Sequence, residues 1–180
     1  YSAGEGGIDV AVFIRNGLVN TTGFGNIEII GISDSITSFV NEGIAIFSLG
    51  RVEALGSGDI NLTGIGAISH IGNRTSILNS GIHISAESVV KTAEGDVNLT
   101  GIGRAIGIEN YGVQLNNTGR IEAGGNISIT GIGGTNGPDD IIPNSNFLTG
   151  SAAGIRIANA GSIETTGNHT GLTITLIADE

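Results

Sequence analysis

GNISITGIG, at residues 125–133, is one copy of a phrase that occurs four times in this chain. The other copies are GNIEI at 25–29, GDINLTGIG at 58–66 and GDVNLTGIG at 95–103, so the phrase recurs every 30 to 37 residues. Self-similarity at such a period indicates one structural unit stacked on copies of itself. The repeat therefore decides the architecture.

Two further phrases lie between these copies. One reads GIAI at 43–46, GIHI at 81–84, GVQL at 112–115 and GIRI at 154–157. The other reads RVEA at 51–54, VVKT at 89–92, RIEA at 120–123 and SIET at 162–165. Apolar and polar residues alternate within the phrases, as in a strand with one buried face.

Strands this short bury their apolar faces only if the chain winds into a coil and the next unit stacks on it, with equivalent strands paired in parallel. The sequence therefore predicts an all-β protein, a right-handed parallel β-helix or solenoid of about five coils with three short strands per coil. Residues 1–180 are predicted to form a single repeat domain, part of a longer chain or of a filament.

Stacking places equivalent residues in columns along the axis. Two apolar columns and one polar column are predicted: Ile44, Ile82, Val113 and Ile155; Ile60, Val97 and Ile127; and Asn41, Asn79 and Asn110. Asparagine tolerates the left-handed conformation and bonds laterally to its copies, so the polar column is interpreted as a turn ladder. The 32 glycines, at fixed offsets between β-branched runs, are interpreted as turns that require positive φ.

Composition narrows the function classes. The net charge of −10 argues against a nucleic-acid partner, because phosphate binding requires a basic face. No run of 18 apolar residues occurs, so no membrane span is expected. The chain has no signal peptide and opens directly in repeat-like sequence, which indicates a mature or excised piece.

One unit is longer than its neighbours, and its extra residues, 133–153, are predicted to leave the wall as an inserted loop. Insertions of this kind carry function in many repeat proteins. The candidate recognition residues there are Asn136, Asp139, Asp140, Asn144 and Phe147. The stretch 134–139 has a slight similarity to a calcium-binding nonapeptide, which leaves calcium open as an alternative to the expectation of no cofactor.

No catalytic or metal-binding constellation is found in the sequence. His70, His83 and His169 fall at three different offsets in the unit and at no metal-ligand spacing, so surface histidines are expected. The glycine-rich GIG phrases precede no helix, which excludes a phosphate loop. An ice-binding wall needs a threonine column in every coil, and the columns mix Thr, Ala, Leu and Glu.

An acidic column is the nearest approach to a reactive site. Glu53, Glu122 and Glu164 are expected to stack on the outer side of the third phrase, with Lys91 interposed. Like charges so close would raise their pKa values or attract a cation, as in β-helices that cleave acidic polysaccharides. A solvated stripe is the preferred interpretation, because cleavage needs an acid–base pair that one stripe does not supply. The chain is therefore expected not to be an enzyme.

The alternation of GNISITG at 125–131 with GIRI at 154–157 resembles the repeats of large cyanobacterial exoproteins of the filamentous-haemagglutinin type. Such proteins resemble the secreted partner of two-partner secretion systems. The resemblance implies a β-helical shaft or adhesin, located extracellularly or at the cell surface.

The expected function is therefore that of a structural and adhesive segment of an extracellular β-helical filament or surface exoprotein. The expected partners are copies of the chain stacked end to end or neighbouring repeats of a longer chain, together with surface glycans. A polysaccharide-binding or polysaccharide-cleaving β-helix protein is the alternative.

Overall fold

The computed structural model describes residues 7–35, 38–67, 70–71, 74–75, 78–104, 109–134, 151–167 and 173–179. Seventeen strands occur there, numbered here in chain order. They are β1 (Gly7–Arg15), β2 (Leu18–Thr21), β3 (Ile27–Ile32), β4 (Ser38–Phe47), β5 (Arg51–Ala54), β6 (Ile60–Ile65), β7 (His70–Ile71), β8 (Arg74–Thr75), β9 (Asn79–Ile84), β10 (Val89–Thr92), β11 (Val97–Ile102), β12 (Glu109–Leu115), β13 (Arg120–Ala123), β14 (Ile127–Ile132), β15 (Ser151–Ile157), β16 (Ser162–Thr165) and β17 (Ile174–Asp179).

Fifteen of these strands form three parallel sheets of five strands each. The first sheet has the order β1-β4-β9-β12-β15, the second β2-β5-β10-β13-β16 and the third β3-β6-β11-β14-β17. Each coil contributes one strand to each sheet, so five coils stack along one axis. The prediction of a parallel β-helix of about five coils with three short strands per coil is confirmed. The remaining strands, β7 and β8, pair antiparallel as a hairpin in the connection between the second and third coils.

The predicted apolar columns are confirmed by the strand register. Ile44 pairs with Ile82, Ile82 with Val113 and Val113 with Ile155 in the first sheet. In the third sheet the predicted column of Ile60, Val97 and Ile127 is continuous and extends to Ile27 and Ile174 at its two ends. Side chains of these columns in the three middle coils are 0–1% exposed and form the core. Burying an aliphatic side chain this fully contributes about 1.5–3 kcal/mol, so the ladders are the main source of stability.

Glycine has a different role from the predicted one. Among the described glycines only Gly23 has a positive φ. The repeated glycines instead lie where the first and third sheets meet: a Cβ added to Gly101 would overlap the carbonyl oxygen of Gly112, and one added to Gly64 would overlap that of Gly81. The phrase TGIG therefore marks a close approach of two backbones rather than a turn.

The turns between the first and second sheets are made by residues other than glycine. Nine described non-glycine residues have positive φ, eight of them in consecutive pairs: Ser48 and Leu49, Ala86 and Glu87, Asn117 and Thr118, and Asn159 and Ala160. The amide of the second member bonds to the next coil, as in Leu49 N to Ala86 O at 3.0 Å and Thr118 N to Asn159 O at 3.0 Å. These bonds make the four turns one continuous ridge.

The predicted asparagine column is confirmed as a ladder, but it lies in strands of the first sheet rather than in turns. Asn41 Nδ2 donates to Asn79 Oδ1 at 3.1 Å, and Asn79 Nδ2 donates to Asn110 Oδ1 at 3.0 Å. All three side chains belong to fully buried residues. A buried amide requires such partners, because an unsatisfied polar group costs about 1–3 kcal/mol.

Candidate functional site

The connections whose lengths vary most between coils all lie at one corner of the coil, where the chain passes from the third sheet to the first. Residues 33–37, 66–78, 103–108 and 133–150 make these connections and have lengths from five to 18 residues. By contrast, the connections from the first sheet to the second have two to four residues. Variation in length is thus greatest at this corner, while the three sheets keep their strand order on both sides of it. The hairpin of β7 and β8 belongs to the same corner.

The predicted recognition loop begins at this corner, since β14 ends at Ile132 and β15 begins at Ser151. The last three residues of the predicted insertion, 151–153, are therefore strand rather than loop. The five candidate recognition residues and the calcium-like stretch from 135 onward lie outside the described residues. They are Asn136, Asp139, Asp140, Asn144 and Phe147.

A polar cluster lies on the outer face of the first sheet. His83 Nδ1 lies 2.6 Å from Glu42 Oε1, and His83 Nε2 lies 3.2 Å from Asn116 Oδ1. Glu42, His83 and Asn116 come from three successive coils and are 4–9% exposed. The edge of the ring also contacts Phe47, with centroids 4.5 Å apart. The expectation that His83 is a surface histidine is therefore wrong.

The chemistry of this cluster follows from its two acceptors. Both ring nitrogens of His83 have a polar partner, Nδ1 in the carboxylate of Glu42 and Nε2 in the amide oxygen of Asn116. With so little exposure, the histidine is placed to join three coils rather than to meet a substrate. Little in the sequence indicates this contact, because Glu42 and His83 are 41 residues apart and in different repeats. Of the other histidines, His70 lies in β7 and His169 outside the described residues.

The predicted acidic column exists on the outer face of the second sheet, and Lys91 is part of it. Lys91 pairs in register with Glu53 on one side and Glu122 on the other, and Glu164 follows Glu122. Lys91 Nζ donates to Glu122 Oε2 at 2.8 Å. Two carboxylates are thus separated by a cation, and the mutual repulsion expected of an unbroken acidic stripe does not arise between them.

Two arginines flank this column. Arg51 Nε donates to Glu53 Oε1 at 2.8 Å, and its Nη2 contacts the same oxygen. Arg120 Nη1 lies 3.8 Å from Glu122 Oε1. Arg51 and Arg120 each pair in register with Val89 between them, so they stand two coils apart on one wall. The repeated RVEA and RIEA phrases contain this pair of arginines as well as the acids of the predicted column.

A groove of about 650 Å³ runs along the axis beside these arginines. Its two walls are the left-handed turn ridge and the outer face of the second sheet. Its lining consists of Leu49, Glu87, Thr118 and Ala160 from the ridge and Arg51, Val89 and Arg120 from the sheet. The groove is built from the repeated turns and strands rather than from the long connections.

Within the described ranges, no group of three or more His, Cys, Asp or Glu side chains is arranged to hold a metal ion. No helix long and apolar enough to cross a membrane occurs in the same ranges. No protein-family model, no curated protein and no solved structure matches the chain. The resemblance to filamentous-haemagglutinin-type exoproteins therefore remains a prediction from the repeats, and the site is interpreted from its own geometry.

Proposed function

We propose that this chain is a structural and adhesive segment of an extracellular β-helical filament, and that it extends by stacking further coils on its end coils. The observation that supports the proposal is the chemistry of the two ends. Core columns that are 0–1% exposed in the middle coils continue into both end coils as apolar residues, and several of these are exposed there, whereas Ile14 and Ile27 stay buried. Val19 is 37% exposed at one end, and Ile174 and Leu176 are 44% and 48% exposed at the other.

Each end coil also presents strand edges. Within the described residues, β1, β2 and β3 each pair with a strand on one side only, as do β15, β16 and β17. Such an edge is a template for a further parallel strand. Because the columns are apolar at both ends, Leu176 of one copy can stack on Ile29 of the next and continue the core.

End-to-end copies are the occupant that we propose, and neighbouring repeats of a longer chain satisfy the same edges. The function is mechanical, because ladders of backbone bonds and stacked aliphatics give a stiff rod on which adhesive surfaces are spaced. The proposal assigns the chain no catalytic activity. It places the chain outside the cell or on its surface, in line with the resemblance of its repeats.

Negative-stain electron microscopy of the purified chain across a concentration series tests the assembly. We expect filaments about as thick as one β-helix, growing with concentration. Leu176→Lys puts a charge into an exposed end column and is expected to abolish them without unfolding the chain. Leu55→Lys, at a residue that is 51% exposed beside the middle coils, is the matched control and should leave the filaments intact. A monodisperse monomer at the highest concentration contradicts end-to-end assembly.

A further inference from the structure

We propose that the groove between the turn ridge and the second sheet binds a linear acidic polysaccharide that carries one carboxylate per disaccharide. The inference rests on the adhesive part of the proposed function and is independent of end-to-end assembly. It names a site and a ligand class for the adhesion. The groove runs along the axis, so it fits a chain-like ligand better than a compact one.

The spacing of the two cations selects the ligand. Arg51 and Arg120 are separated by two strand spacings, which is roughly 9.6 Å. That distance is comparable to the length of one disaccharide. Between them lies Val89, which is 7% exposed and uncharged, so the intermediate sugar meets an apolar floor. Arg51, Val89 and Arg120 therefore follow one another along the groove in an order that matches three successive sugars of the ligand: one with a carboxylate, one neutral and one with a carboxylate.

The two arginines differ in the contacts that leave their guanidinium groups available to a ligand. Arg51 is held by Glu53, whose side chain is 8% exposed, and its remaining guanidinium N–H groups are left for a ligand. Arg120 has only a long contact of 3.8 Å to Glu122 Oε1, while Lys91 donates to Glu122 Oε2 at 2.8 Å. Both arginine side chains are half exposed, at 55% and 51%. A guanidinium fork binds a carboxylate with two parallel hydrogen bonds, which a point charge does not.

The acidic groups nearby limit the affinity. Glu87 is an exposed carboxylate on the ridge side of the groove, and the chain as a whole has a charge of −10. Long-range attraction of a polyanion is therefore absent, and binding depends on the short-range forks. The interaction is expected to be weak for one chain and to gain strength where copies are repeated along a filament.

Isothermal titration calorimetry of the native chain provides the test, with a hyaluronan hexasaccharide as the alternating-uronate probe. Oligogalacturonate carries a carboxylate on every sugar, and maltohexaose carries none. We expect binding in the order hyaluronan, oligogalacturonate, maltohexaose. Arg120→Gln should lower the affinity for hyaluronan about tenfold, which is the effect of losing one charged hydrogen-bonded contact.

Matched variants distinguish binding at this groove from a general effect of the charge of the protein. Arg104→Gln removes the same charge from an exposed position elsewhere and should leave binding unchanged. Arg51→Lys retains the charge beside Glu53 and should still weaken binding, because the fork is lost. Glu87→Gln should tighten binding about threefold by removing a repulsive charge. Circular dichroism checks that each variant is folded.

Three results would overturn the proposal: no binding of hyaluronan by the native chain at millimolar probe, equal binding by native and Arg120→Gln chains, or tighter binding of oligogalacturonate than of hyaluronan. The last result would contradict the assigned carboxylate spacing. None of them bears on filament formation, which electron microscopy reports separately.

Discussion

Asp59 Oδ1 accepts the backbone N–H of Asp96 at 2.8 Å, and the same kind of bond recurs along the whole rod. Asn26 Oδ1 accepts from Asp59 N at 2.8 Å, Asp96 Oδ1 from Asn126 N at 2.6 Å, and Asn126 Oδ1 from Thr173 N at 3.1 Å. Each side chain thus satisfies an amide one coil further on. This column is at the turn that enters the third sheet, and it fixes the position at which each coil begins that sheet.

We expect Asp96→Ala to lower the free energy of unfolding by about 1.5 kcal/mol, because a hydrogen bond from the Asn126 amide to a charged acceptor is lost. Asp96→Asn keeps an acceptor oxygen and should change stability by less than about 0.5 kcal/mol. Urea denaturation followed by circular dichroism gives both values. Equal losses for the two variants would show that charge, not the bond, matters.

The buried asparagine ladder has an exposed counterpart, which makes a matched comparison possible. Asn79→Ala removes both bonds that join it to Asn41 and Asn110 in the core, and should cost about 3 kcal/mol. Asn98→Ala removes one exposed bond of the same type to Asn61 and should cost less than about 1 kcal/mol. The same denaturation experiment measures the two. Similar costs would mean that burial adds nothing to the ladder.

The contact between glycines of the first and third sheets predicts a steric effect. Gly101→Ala would place a methyl group on the Gly112 backbone, and should destabilise the chain by about 3 kcal/mol. Gly17→Ala is the control, because its Cβ would meet its nearest neighbours at 3.7 Å, an ordinary contact. Thermal melting of both proteins checks this prediction. A stable Gly101→Ala chain would contradict the close packing of these two sheets.

A double-mutant cycle measures the pair of Glu42 and His83. Either Glu42→Ala or His83→Ala should cost about 3 kcal/mol, because each leaves a buried polar partner behind. The double variant should be about 2 kcal/mol more stable than the sum of the two costs predicts. A second cycle on Arg120 and Glu122, 3.8 Å apart and more exposed, should give a coupling below about 0.5 kcal/mol. A coupling energy near zero for Glu42 and His83 would contradict the inference that this pair joins successive coils.

The left-handed turns allow a stabilising change. Ala86 has a φ of 55°, at the position that asparagine occupies in later coils as Asn117 and Asn159. Asparagine tolerates this conformation better than alanine, so Ala86→Asn should raise the free energy of unfolding by about 0.5–1 kcal/mol. Ala93→Asn changes an exposed alanine without a positive φ and should have no such benefit. A shift in the urea midpoint reports the difference.

Most of the fold could be predicted because apolar and polar residues alternate in phrases that repeat along the chain. The period-2 phrases identified strands, and their recurrence identified coils and register, which the pairing of Ile82 with Ile44 and Val113 confirms. The turn role predicted for the repeated glycines was wrong, because glycine occurs both at turns and where two backbones come into close contact. Sequence spacing does not distinguish these two uses, and only the distance between sheets does.

The candidate site was less accessible to sequence reasoning. Lys91 was expected near the acidic column, and its ion pair with Glu122 agrees with that expectation. The groove went unpredicted, because Arg51 and Arg120 belong to phrases 69 residues apart and line one surface only after the coils have stacked. The five loop residues predicted for recognition remain a prediction.

The repeat pattern was enough to identify this protein as a stack of three-stranded coils, because alternating apolar residues at a fixed repeat can be buried in no simpler way. It also determined which residues form columns, since equivalent positions in the repeat must lie above one another. The outward contacts between coils, such as those of Glu42 with His83 and of Lys91 with Glu122, are visible in the folded chain alone. They depend on how long each turn is and how closely the sheets approach, and neither quantity follows from the repeat.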